Sequence, residues 1–452
     1  MPAPSLVVQT TYAELLERCA AAAAFGESFP DDGTFTPKTI KGRRYWYFQT
    51  ASAEGRSQRY VGPESPELLE RIAQHKQARD DERERRALVS TLVRSLGLLP
   101  PIPQIGEVVA VLARSGAFRV GSVLVGTVAY QVYPAMLGIR LPGALLQTSD
   151  VDVAQFTSVS IATGDETPPM IHVLKSADKT FREIPNITGD GSATSYVAKG
   201  GVRVDFVTPN EGPDTDTPQM LPSLKTNAQP LRFLDFLIRD PAPAVVLQGS
   251  GIYVHVPAPE RYAVHKLILS LYRPAAIAKR DKDLRQAERL IKALAERRPG
   301  ELKDVWEEAY GRGPHWRKYL LEGMRNLAPH ARDLMLRILG RSRDILSGID
   351  LTFDGSTVRY DFSRDTVTFV GAAFGSPVQC AISREALDDH FGTDGLDNAE
   401  RVEAFQRNRS KIESLVRRKY LSWPVEEPEY VLVKTMEVER LSNSNGHLRH
   451  PK

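Results

Sequence analysis

VLVGTVAYQVYPAMLGIRLPGALLQTSDVDVAQF, residues Val123 to Phe156, decides how this chain folds. Ser122–Val125 is an apolar strand, Gly126-Thr127 a turn, and Val128–Leu137 a helix with a kink expected at Pro134. A loop follows, and then a second strand that carries Asp150 and Asp152. Residues two apart on a strand point to the same face, so Val151 and Val153 pack inward while the two carboxylates stand together. Adjacent carboxylates on a half-buried sheet are costly unless a cation lies between them. The pattern therefore points to a divalent-cation site of the kind phosphoryl chemistry uses.

The pair Gly126-Thr127, followed by Thr148-Ser149-Asp150-Val151-Asp152, resembles the nucleotidyltransferase superfamily related to DNA polymerase beta. Its signature is a Gly-Ser pair at a strand–helix turn, then a strand with Asp-x-Asp. Thr127 replaces the serine, and 22 residues separate it from Asp150, a longer gap than in the compact motif but one that holds a helix and a loop. The resemblance extends to a bacterial nucleotidyltransferase-fold family of unassigned substrate. It implies an α+β fold with a mixed-sheet core and flanking helices, and two Mg²⁺ ions held by Asp150 and Asp152. The superfamily's third carboxylate lies on a downstream strand, and Asp205 in the strand Gly201–Pro209 is the best match. Taken alone, Asp205 also suits an edge-strand residue facing water. Gly126 and Thr127 would meet the β- and γ-phosphates of an NTP, where a Cβ would block close approach.

In minimal nucleotidyltransferases and AbiEii-type toxins a basic residue on the helix after the sheet approaches the phosphates. Lys266, in the helix Glu260–Tyr272, fits that place; the alternative is an ordinary exposed helix lysine. Arg280-Asp281-Lys282-Asp283-Leu284 also resembles those toxins, with a structural role expected. The implied reaction transfers a nucleoside monophosphate to a hydroxyl, with an RNA 3′ end or a protein side chain favoured as acceptor and a toxin-like role in view. The rival reading is a non-catalytic nucleic-acid-binding or toxin–antitoxin partner protein on the same scaffold.

The 452 residues suggest two to four domains, and 42% hydrophobic content is that of an ordinary soluble globular chain. A net charge of +3 sets no global field for nucleic acid, so any basic surface is local. Cys19 and Cys380 stand alone, which argues against a zinc site or disulfide framework and fits a reducing cytoplasm. The first residues lack the basic and apolar regions of a signal peptide. No run reaches the ~18 apolar residues of a bilayer span, so no membrane partner is expected.

Residues 1–100 read as a helical region holding a helix at 10–26, a hairpin over 38–62 and a long helix from Pro66 to about Leu96. Strands Arg44–Gln49 and Arg56–Val61 alternate, with Tyr45 and Tyr47 on one face and Trp46 and Phe48 on the other. Six basic residues and one acid fall within 38–59. Lys41, Arg43, Arg44, Tyr45, Arg56 and Arg59 are candidates for nucleic-acid contact; the bland alternative is a hairpin whose aromatics pack on the next helix.

The core is expected over 101–258. It includes a strand at Ile171–Leu174 with loops around it, a loop at 210–228, and sheet-completing strands through 231–256. A helical domain at 259–347 and a small α+β domain at 350–435 follow, with a disordered tail at 436–452. The small domain resembles a bacterial domain of unknown function, on Ala381–Leu387 and Phe405–Glu413. Its last long helix carries Arg407, Arg409, Lys411, Arg417, Arg418 and Lys419.

Overall fold

Where apolar residues fall at every second position the chain forms strands, and where they fall every third and fourth it forms helices. A computed structural model of the chain describes residues 6–24, 33–40, 42–52, 55–141, 143–185, 192–212, 214–272, 277–341, 346, 351–353, 355, 357–373, 376–422 and 431–443. The fold is α+β, with mixed sheets and flanking helices. Contacts divide it into two units, 1–210 with 215–257, and 211–214 with 258–452. No described helix is long and apolar enough to cross a membrane. Cys19 and Cys380 are buried free thiols.

The first unit opens with α1 (Leu6–Ala24) and an antiparallel sheet of β1 (Gly33–Ile40), β2 (Arg43–Ser52) and β3 (Gly55–Pro63). The hairpin expected from sequence is therefore three-stranded, because the Thr-rich run before Lys38 pairs with β2 along its length. Phe48, 3% exposed, meets Phe35 and His75, so one sheet face packs on α2 (Pro66–Ser90). Ser65 caps that helix, accepting the Leu68 N–H at 3.2 Å, and a π-helical turn at Thr91–Ser95 ends it.

After α3 (Pro103–Arg114) come β4 (Val123–Val125), α4 (Gly126–Leu137), β5 (Asp150–Ala154), α5 (Thr157–Ala162) and α6 (Met170–Ala177). Then follow β6 (Arg182–Pro185), β7 (Ala193–Val197), β8 (Arg203–Pro209), β9 (Gln219–Leu221), β10 (Thr226–Leu231), α7 (Leu234–Ile238), β11 (Ala242–Val246) and β12 (Ile252–Val256). β8 is the centre of the main sheet. It runs parallel to β5 on one edge, and its other edge is shared between β7, antiparallel at Arg203–Asp205, and β10, parallel at Val207–Pro209. β4 closes the far side of β5, and β9 the far side of β10. Val151, Val153, Val204 and Phe206 are buried on one face, where the Tyr196 ring stands edge-on to Phe206.

Three sequence expectations are corrected here. The run Ile171–Leu174 belongs to α6, since Met170, Val173 and Leu174 are buried at helical spacing. Residues 219–231, expected largely as loop, supply β9 and β10. The segment after them turns through Phe233, at φ +65°, into α7, while β11 and β12 pair only with each other. α4 runs through Pro134 and is buried around its circumference. Its Tyr133 hydroxyl donates to the Pro257 carbonyl at 2.9 Å, and Ala135 packs among Tyr12, Leu15, Leu92 and Val245.

In the second unit α8 (Pro259–Tyr272) pairs with α9 (Ile277–Arg297), followed by α10 (Pro299–Gly311), α11 (Pro314–Arg325) and α12 (Pro329–Leu339). Gly323 lets α11 approach α8; a Cβ there would lie 2.6 Å from the Leu267 carbonyl oxygen. Buried charges are paired: Arg261 with Glu308 at 2.7 Å, Glu260 with the partly exposed Arg298 at 3.3 Å, and Lys266 with Asp283. The small domain that follows has β13 (Arg359–Asp361), β14 (Thr366–Ala373), β15 (Ser376–Ser383), α13 (Arg384–Phe391), α14 (Asn398–Arg407), α15 (Arg409–Ser422), β16 (Val431–Val433) and α16 (Thr435–Asn443).

Its four strands lie in the order β13-β14-β15-β16, over a core of Val367, Phe369, Ile382, Phe405, Ile412 and Val416. The expected tail is thus corrected over 436–443, which is helical because Val438 buries against this core; 444–452 lie outside the described residues. On α15, Arg409 pairs with Glu413, Arg417 donates to the Leu351 carbonyl and Lys419 to that of Leu432. Much of the basic face read from sequence therefore holds the domain together.

Removing one member of a buried ion pair leaves the other charged in apolar surroundings, which costs about 3–5 kcal/mol, whereas an apolar pair of similar volume is often neutral. Lys266 and Asp283 are both under 10% exposed. Lys266→Met should destabilise the second unit by about that amount in denaturant unfolding, and Lys266→Met/Asp283→Leu should recover most of it.

Candidate active site

Register brings the carboxylates together. Asp152 stands directly beside Asp205, and Asp150 beside Arg203, across the parallel β5–β8 pair. All four side chains therefore share the face opposite the Val151/Phe206 core, and both β5 carboxylates are half-buried there. The hydroxyls before Asp150 brace it. Thr148 Oγ1 accepts the Asp150 N–H at 3.1 Å, and Ser149 Oγ lies 3.4 Å from Asp150 Oδ1. At the other end of β5, buried Gln155 donates to the Val120 carbonyl at 2.6 Å and accepts from Ser223 Oγ at 3.1 Å. Thr148, Ser149 and Gln155, which flank β5, thus fix its height, and the turn after β4 fixes its depth.

Gly126 supplies that second constraint. It has φ +67°, and a Cβ built on it would lie 2.0 Å from Asp152 Oδ2. The turn between β4 and α4 thus has room for Asp152 only because residue 126 is glycine. Gly126 and Thr127 are half-buried, while the residues on either side of them are buried, so this turn is where the α4 N-terminus opens to solvent.

Asp205 is already engaged. Arg203 Nε donates to Oδ1 at 2.8 Å and Oδ2 at 3.0 Å, and Ser195 Oγ donates to Oδ1 at 2.5 Å. Arg203 Nη2 in turn donates to Ser195 Oγ at 3.0 Å, closing a triangle. Neither Arg203 nor Ser195 was anticipated from sequence. Arg203 was legible in principle, at two residues before Asp205 on one strand face, whereas Ser195 reaches Asp205 only through the β7–β8 register. Like charges directly opposite in a sheet repel, and the guanidinium offsets that repulsion. Three carboxylates and one guanidinium leave two negative charges on the face, which one divalent cation balances.

Asp150 and Asp152 fit a hard cation such as Mg²⁺ by donor type and shared face. Among the described residues, however, no three His, Cys, Asp or Glu side chains converge as a cation's ligands would. Asp205 joins such a set only by exchanging Arg203 for the ion.

The other candidate residues belong to other elements. Lys266 belongs to the second unit, buried and bonded to Asp283 rather than exposed on its helix, and the Tyr262 hydroxyl donates to Gln286 beside it. Asp283 comes from the Arg280–Leu284 segment, whose structural role this contact supplies. In the N-terminal sheet Tyr45 and Tyr47 both meet Tyr60, while Arg44 lies 3.5 Å from Glu64, and Arg59 is paired with Phe48 toward the α2 face. Lys41 and the Arg56 side chain lie outside the described residues.

Two substitutions test this construction. Gly126→Ala drives a methyl into Asp152 and should lower thermal stability by about 1–3 kcal/mol. Arg203→Gln removes the built-in counter-charge. It should lower the melting temperature without divalent ions and enlarge the rise produced by adding Mn²⁺ relative to the unaltered protein. Equal Mn²⁺ shifts would show that Arg203 does not compensate Asp205.

Residues 104–311 match a family described as Nucleotidyltransferase, and residues 351–429 a family described as a protein of unknown function, DUF1488. Comparisons with curated proteins and with solved structures give no match. The first matched span begins on α3 and contains the Gly126-Thr127 turn, Asp150, Asp152, Asp205 and Lys266; the second covers β13 through α15. The chain is therefore similar over 104–311 to a nucleotidyltransferase family, and over 351–429 to the DUF1488 family.

Proposed function

We propose that the protein is a Mg²⁺-dependent nucleotidyltransferase that moves a nucleoside monophosphate from an NTP to a hydroxyl on RNA or on a protein side chain. The observation that carries this reading is the in-register placement of Asp150, Asp152 and Asp205 on one sheet face beside the Gly126 turn, inside the span that matches the family. Asp150 and Asp152 would hold one ion, with a second arriving on the NTP, which agrees with the two negative charges left on the face. When bound, Mg²⁺ supplies charge neutralisation at the reacting and leaving phosphates.

The chain's own residues do the rest. Backbone N–H groups at the start of α4 and the Thr127 hydroxyl receive the β- and γ-phosphates, where oriented donors and the positive helix end favour anions. Asp205 takes the proton of the attacking hydroxyl, whose oxygen bonds to the α-phosphorus as pyrophosphate leaves. Arg203, freed from Asp205 at that moment, is the cation on this face available to the triphosphate. Lys266, whose charge Asp283 already balances, has no part in this scheme. The Arg203–Asp205 bond is also the one observation that favours the rival reading, a non-catalytic binding protein on this scaffold.

The deciding experiment incubates the protein with each α-labelled NTP, Mg²⁺ and total RNA or cell extract. Label should pass to one acceptor class with one preferred NTP, disappear with EDTA, and fall by about 10²-fold or more in Asp150→Ala and Asp152→Ala. Absence of transfer from every NTP would leave the rival reading.

A further inference from the structure

The N-terminal sheet has one face closed and one open. Phe35 and Phe48 close the first against His75 of α2. On the other, register places Lys38 beside Tyr45, Thr36 beside Tyr47, and Tyr47 beside Tyr60. Tyr60 is 53% exposed, and its ring centre lies 5.5 Å from that of Tyr47 and 6.3 Å from that of Tyr45. The three rings thus form a contiguous aromatic platform at the surface.

Polar groups frame it. Lys38 Nζ lies 4.7 Å from the centre of the Tyr47 ring and donates to Gln58 Oε1 at 2.7 Å; Gln58 Nε2 donates to Thr36 Oγ1 at 3.3 Å. Arg43 is exposed on the same strand face as Tyr45. From Gly33 to Pro63 the sequence has six basic residues, and Glu54 is its one acid. Such an arrangement suits a ligand with flat apolar faces and a negatively charged backbone.

We propose that this platform binds single-stranded RNA, with unpaired bases stacked on Tyr45, Tyr47 and Tyr60 and the phosphates running past Lys38 and Arg43. A duplex hides its base faces and would leave the tyrosines unused. A protein ligand of matching charge would need acidic groups but would not need three clustered aromatic rings. RNA is favoured over DNA because the Thr36 hydroxyl and the Gln58 amide lie within the same face, in reach of 2′-hydroxyls. The inference stands on this sheet alone and does not require nucleotidyl transfer.

The test uses the full-length chain and a fluorescently labelled 12-nucleotide RNA of mixed sequence, without NTP or metal, read by anisotropy at low and moderate salt. Binding is expected, weakening steeply with salt. Tyr60→Ala should reduce affinity by about tenfold, the loss of one stacked base, while Tyr60→Phe, which keeps the ring, should bind like the unaltered protein. Lys38→Ala should flatten the salt dependence. The proposal is overturned if the RNA does not bind, if Tyr60→Ala binds as tightly as Tyr60→Phe, or if duplex RNA or single-stranded DNA of the same sequence binds better. A protein that binds RNA but transfers no nucleotide would keep this proposal and refute the transfer reading, and the reverse result would do the opposite.

Discussion

A carboxylate oxygen of Asp152 occupies the space where any residue other than glycine at position 126 would place its Cβ. This single close approach joins the two halves of the site. It sets β4 against β5 at the height where the α4 N-terminus looks onto the same face as the carboxylates. It also fixes the register that brings Asp152 beside Asp205 one strand further on. The glycine of the turn therefore gives clearance to the Asp152 carboxylate and, in the proposed transferase, would also give access to a phosphate. The first is a packing constraint that holds whether or not a nucleotide is bound.

The consequence of that register is electrostatic. Two carboxylates side by side on a half-buried sheet need a positive charge, and the chain supplies one from within through Arg203, two residues before Asp205. Arg203 is about half exposed and Asp205 much less so, so the pair lies at the boundary between protein and solvent, where an incoming ion or phosphate can compete for either partner. Ser195 donates to the carboxylate from β7, a different strand, so Asp205 keeps this hydrogen bond through such an exchange.

How much of this was legible in the sequence depended on the distance over which each signal acts. The strand–turn–helix at Val123–Leu137 and the alternation around Asp150 and Asp205 are local patterns, and they folded as their periods dictate. Ile171–Leu174 misled because a four-residue run with three apolar residues is too short to show a period; the burial of Met170, Val173 and Leu174 came from packing against a neighbour. β9 and β10 were hidden by prolines and polar residues, since the inward positions of β10 are Thr226, Ala228 and Pro230 rather than large apolar residues. Lys266 gave no sign of its burial for a related reason. Its partner Asp283 lies on the next helix, and nothing within α8 announces a buried charge. Ser195 was out of reach altogether, for no spacing along the chain encodes a cross-strand neighbour.

The helix that begins at the glycine turn is packed on every side, with Tyr130, Tyr133 and Ala135 inside the first unit's core. Such a helix cannot tilt to suit a ligand without disturbing the core around it. Any adjustment to a ligand therefore falls to β8, where Arg203 is exposed and Asp205 half-exposed. In the proposed transferase, selectivity among acceptors would then change through this end of β8 while the phosphate end stays constant.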